Sequence, residues 1–81
     1  MNLSEPTAVE AARLLETALE YHRAVRNCPP EPKGDYNTPE GVAHMKGLRE
    51  AERRRSQHFE AIEAYARAVE KRLRKNRALA E

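Results

Sequence analysis

The sequence predicts an all-α fold, a helical hairpin with a short first arm over about residues 4–27 and a long second arm over about 38–79. Three observations predict it. Apolar residues recur at alternating spacings of three and four in two separate runs, the period that gathers side chains on one face of a helix. The runs are divided by CPPEPKGDYN, Cys28 to Asn37, whose three prolines remove helical N–H donors. From Leu48 onward the second run contains neither Gly nor Pro, so nothing in it stops a helix once begun.

The first arm has two candidate starts. Ser4 can cap it with Pro6 in the first turn, and Thr7 with Glu10 has the spacing of a capping box. Its stripe is Ala8, Ala11, Leu15, Ala18, His22 and Val25. Ala12 and Leu19 widen one flank, Leu14 and Tyr21 the other. A face this broad can touch more than one neighbouring helix.

In the second arm Thr38 is the cap, with Pro39 at its favoured first position. Gly41 and Gly47 weaken the first turns by roughly 1 kcal/mol each against alanine. The stripe is Met45, Leu48, Phe59, Ile62, Ala66, Val69 and Leu73, with a polar gap at Glu52 and Arg55. The gap leaves two readings. In one the helix is continuous, its stripe shifting to Ala51 and its long stems lying over apolar neighbours. In the other it breaks near Ser56 and makes three helices. Glu50 with Arg54, Glu63 with Arg67, and Glu70 with Arg74 are i, i+4 pairs in the favourable order.

Lengths then suggest an assembly. The arms are roughly 35 and 60 Å long. An antiparallel hairpin puts Val25 near Val42 and Ala8 near Phe59, so Leu48 lies under the first arm and residues beyond about Ile62 overhang. In 81 residues, 40% hydrophobic with one Phe and no Trp, a monomer has a thin core. The expectation is a homodimer, two hairpins in an antiparallel four-helix assembly, with Phe59, Ile62, Tyr65, Val69, Leu73 and Leu79 meeting the partner.

The net charge of +2 is unevenly placed. Residues 1–27 hold four acids and three bases, for −1; residues 28–41 hold three acids and one base, for −2; residues 42–81 hold six acids and eleven bases, for +5. Arg67, Lys71, Arg74 and Lys75 share the face opposite the stripe, a possible phosphate-binding surface. No helix-turn-helix spacing, zinc finger or aromatic platform accompanies them. One cysteine cannot form an intrachain disulfide. No apolar run reaches the ~18 residues of a membrane span, and the first residues lack the pattern of a signal peptide. A cytoplasmic location is expected.

Catalytic chemistry has few candidates. His22, His44 and Cys28 could meet at the loop end, but their spacing is no zinc signature; no metal and no cofactor are expected. Arg53 and His58 have the R-x4-H spacing, which resembles that of HEPN-type ribonucleases, also helical. The resemblance implies that the pair acts on a scissile phosphate. Phe59 to Glu70 is similar to the second helix of a tetratricopeptide repeat, over about twelve residues and without a second copy. The functional expectation is a small non-catalytic protein–protein interaction module, an adaptor, regulator or inhibitor, binding itself and another protein. The alternative is a nucleic-acid-binding helical dimer using the basic C-terminal half, and behind it a HEPN-like ribonuclease.

Overall fold

A computed structural model describes residues 3–80, with side chains through Leu79. It has two helices, α1 (Ala8–Asn27) and α2 (Pro39–Ala80), folded into a hairpin. Among the described residues there is no strand. Of the two candidate starts for α1, the capping box is used. The Glu10 N–H donates to Thr7 Oγ1 at 3.1 Å, and the Thr7 N–H donates back to the Glu10 carboxylate at 3.0 Å. Two free amides are thereby satisfied. Residues 4–7, expected as the first turn, lie outside the helix. They turn instead against α2, where the Tyr65 hydroxyl donates to the Ser4 carbonyl. At the other end Cys28 is extended, φ −65° and ψ 125°, as the residue before a proline prefers.

α2 is continuous from Pro39 to Ala80, so the expected alternative of a break near Ser56 does not occur. The polar gap is stapled along its own helix. Glu50 binds both Arg53 and Arg54 at 2.9 Å, and Arg55 reaches Glu52 at 3.5 Å. Such i, i+3 and i, i+4 pairs each add a few tenths of a kcal/mol to a helix.

The loop folds back. His44 Nδ1 donates to the Pro29 carbonyl at 2.8 Å, so the chain leaving α1 lies along the first turns of α2. Near its end the Asn37 N–H donates to Asp35 Oδ1, the Thr38 hydroxyl donates to the Asp35 carbonyl, and the Gly41 N–H donates to Thr38 Oγ1. This close approach needs two glycines. A Cβ at Gly47 would stand 2.7 Å from Cys28 Sγ and 2.8 Å from Pro29 Cδ, and one at Gly41 would overlap the Tyr36 carbonyl.

Folding the loop back moves the register. Cys28 lies beside Gly47, Glu20 meets Arg54, and Thr17 meets His58. Carried along the helices, these pairs set Val25 level with Glu50 and Ala8 level with Arg67, about two turns beyond the expected register. The overhang is correspondingly shorter. Tyr65 is held by Ser4, and Arg72 still reaches Glu10. Only from about Leu73 does α2 extend past its neighbour.

The result is a rod of 65 × 18 × 14 Å with a radius of gyration of 18.9 Å. A globular chain of this length has about 12 Å. The core is correspondingly slight. Ala61, 7% exposed, is the buried apolar side chain, and Thr17, 1% exposed, the buried polar one, among the described residues.

Candidate interaction surface

The seam between the helices is built mainly from small and polar residues, with Leu14, Tyr21 and Tyr65 among them. On α1 it runs Glu10, Leu14, Thr17, Tyr21, Ala24 and Cys28; on α2 it runs Gly47, Ala51, Arg54, His58, Ala61, Tyr65, Ala68 and Arg72. Both series step by three and four, and every member is at least half-buried or nearly so. Glycine and alanine let the backbones come close. Three polar bridges then hold the rotation. Arg54 meets Glu20 at 3.0 Å, Arg72 meets Glu10 at 3.0 Å, and Thr17 Oγ1 lies 2.8 Å from His58 Nδ1.

Thr17 is the deepest of these. Its hydroxyl lies 3.0 Å from the Arg13 carbonyl and 3.2 Å from that of Leu14. When it donates to either, its lone pairs accept from the His58 Nδ1–H. Thr17→Val keeps the shape and leaves the imidazole nitrogen without its partner. The expected loss is about 1–3 kcal/mol of stability, read as a lowered urea midpoint with an unchanged slope.

Most of the large apolar side chains are elsewhere. Grooves between the arms lined by Arg13 and Glu60, and by Glu20, Arg23 and Glu50, mark one side of the hairpin. Around Val9 and Ala64, which line the first groove, that side is otherwise charged. At roughly 100° per residue, Leu15, Ala18, His22 and Val25 of α1 turn to the opposite side, together with the whole α2 stripe. The two apolar stripes therefore share one side of a flat ribbon. Leu15 is 61% exposed, Phe59 54% and Val25 52%. Met45, Leu48, Ile62 and Leu73 are also exposed, and Val69 is half-buried. Leu48 is not under α1 as expected, because the seam passes through Gly47 and Ala51 instead. Ile62, Ala66, Val69 and Leu73 continue as a shallow apolar hollow with Ser4 at its edge.

The expected partner-binding residues divide accordingly. Phe59, Ile62, Val69 and Leu73 lie on the apolar side. Tyr65 is half-buried on the seam, and Leu79, 80% exposed, follows the seam line past the end of α1. The four expected phosphate-binding residues are all exposed. Arg67 is paired with Glu63 at 2.6 Å and Arg74 with Glu70; Lys71 lines a shallow hollow with both arginines and Glu70. Two of the four cations thus have carboxylates already.

The other constellations are not assembled. Arg53 and His58 stand five residues apart, roughly 140° around the helix. Arg53 pairs with Glu50 in solvent, while His58 is in the seam. His44 and the Cys28 thiol both turn to the Pro29 carbonyl, and His22 is on the exposed apolar side. No three His, Cys, Asp or Glu side chains gather as metal donors among the described residues. No described helix is long and apolar enough to cross a membrane.

Two carboxyls are held below their ordinary value of 4.5. The Thr7 backbone N–H, with Arg72 behind it, lowers Glu10; Arg53, with Arg54 behind it, lowers Glu50. For a depressed carboxyl the stabilising contribution is complete above the ordinary value and is lost as pH falls through the folded value. Acidification below pH 4.5 is therefore expected to release the start of α1 from Arg72. Carboxyl NMR titration should find both groups ionising at lower pH in the folded chain than in denaturant.

No family model, curated protein or solved structure matches the chain. The functional reading rests on the hairpin itself.

Proposed function

We propose that the chain is a small non-catalytic protein-interaction module, an adaptor, regulator or inhibitor, that works as a self-associated hairpin. Two copies face each other across their apolar sides, antiparallel, as a four-helix assembly. One observation carries this reading: both helices turn most of their exposed large apolar residues, Val9 excepted, to the same side, where nothing in the hairpin covers them. The accessible surface is 6654 Å², against the ~5,000 Å² of a globular chain of this mass. The excess, roughly 1,650 Å² for one chain, is about twice the ~800 Å² that a standard interface removes from each partner. The separation of Arg53 from His58 supports a non-catalytic module over a HEPN-like ribonuclease. The ion pairs on Arg67 and Arg74 support a protein partner over nucleic acid.

Sedimentation velocity at micromolar concentration tests the assembly, with a dimer expected and a stable monomer counting against it. Replacing Arg67, Lys71, Arg74 and Lys75 together by Gln tests the alternative. Folding and association should survive. Filter binding to DNA or RNA at about 150 mM salt, steep in salt and abolished in the four-Gln variant, would transfer the function to nucleic acid.

A further inference from the structure

We infer that Glu52 and Arg55, which interrupt the apolar side, form the layer that sets the register of the second copy, with the two-fold axis level with the midpoint of Arg53 and Arg54. This rests on the self-association proposed above and specifies how the copies meet. The α2 stripe steps through positions 45, 48, 52, 55, 59 and 62. That series is symmetric about the same midpoint. Turned antiparallel there, one copy sets Glu52 against the partner's Arg55 and Arg55 against the partner's Glu52. Leu48 meets the partner's Phe59, and Met45 the partner's Ile62.

Neighbouring registers lack this match. A shift of two layers, one heptad, toward the C-terminus puts Glu52 on the partner's Ile62 and Arg55 on the partner's Phe59. A shift the other way puts them on the partner's Leu48 and Met45. Each sets the Glu52–Arg55 pair of one copy against apolar side chains of the other, with no opposite charges across the seam to offset its desolvation, which is unfavourable. A polar layer in an otherwise apolar seam is a known means of specifying register at some loss of affinity.

The hairpin already shapes this layer. Arg55 lies 3.5 Å from Glu52, and its guanidinium stands 5.1 Å from the Phe59 ring centre. Four charges, two from each copy, can therefore close a ring of alternating sign. Arg53 and Arg54, nearest the axis in sequence, are drawn away by Glu50 and Glu20, so they do not repel across it. His22 stands level with the layer on α1. The ends agree as well. The antiparallel turn sets the basic C-terminal ends of the two copies far apart, whereas a parallel copy sets base beside base.

Charge exchange on the intact chain tests the register. Glu52→Arg alone sets four bases together and Arg55→Glu alone four acids. Each should weaken dimerisation at least about tenfold. The double variant should regain the wild-type constant, and an equimolar mixture of the two single variants should form a heterodimer, read by sedimentation. Single variants that dimerise as tightly as the wild type, or a mixture that stays monomeric, overturn the register while leaving self-association standing. A monomeric wild type overturns both. Should either single variant fail to fold, Leu48→Cys with Phe59→Cys in a Cys28→Ser background gives a second measurement. It should oxidise to disulfide-linked dimers, and a dimer that stays unlinked under oxidant overturns the register.

Discussion

Leu48→Glu should abolish self-association at micromolar concentration. Leu48 is exposed on the apolar side and, in the proposed register, packs on the partner's Phe59 one turn from the two-fold layer. Burying one large apolar side chain is worth ~1.5–3 kcal/mol, and a symmetric dimer loses it twice. The dissociation constant should rise by roughly 100-fold or more. Leu73→Glu should do less, because Leu73 falls opposite the partner's loop end, where the packing is thinner. This order reverses the one that the sequence alone suggests, in which Leu48 is covered by the first arm and Leu73 overhangs. Sedimentation of the two variants side by side decides it. Far-UV circular dichroism should stay helical for both, since neither side chain is on the seam.

Gly41→Ala should destabilise the hairpin although it replaces the poorer helix former with the best one. Propensity alone favours alanine by roughly 1 kcal/mol. The new Cβ, however, overlaps the Tyr36 carbonyl, which is backbone and cannot swing aside. Overpacking of this kind costs up to about 3 kcal/mol, occasionally more, so the net loss should reach about 2 kcal/mol. Gly47→Ala should fall between, because Cys28 Sγ and Pro29 Cδ are side-chain atoms with some freedom to shift. Gly34→Ala is the control. Nothing lies within 4 Å of its Cβ and its φ is not positive, so it should be neutral or gain up to about 1 kcal/mol by restricting the unfolded chain. Thermal melts of the three variants rank them. A stabilised Gly41→Ala would show that the loop does not lie against α2.

Much of the fold is legible in the residues taken in order. The three-four spacing, Pro39 after Thr38, and the triple-proline loop determine two helices of unequal length joined as a hairpin. Thr7 and Glu10 carry the start of α1 in their own spacing, and the i, i+4 pairs carry α2 across its polar gap. All of these act within a few residues, where backbone geometry alone brings partners together. The apolar side of α2 is legible for the same reason.

The rotation and register of one helix on the other were decided only in three dimensions. Hydrophobic pattern alone points each stripe at the other helix, and in the fold neither stripe takes that place. Gly47, Ala51, Ala61 and Ala68 offer a closer approach, and Glu10, Thr17 and Glu20 find Arg72, His58 and Arg54 across it. Such pairs are separated by tens of residues, and no local period reveals them. Gly41 and Gly47 read as weak points until the loop is seen to need their missing side chains. A hairpin seam made mainly of small and polar residues leaves most of the large apolar ones on one open side, and that side follows from how the two helices meet rather than from either helix alone.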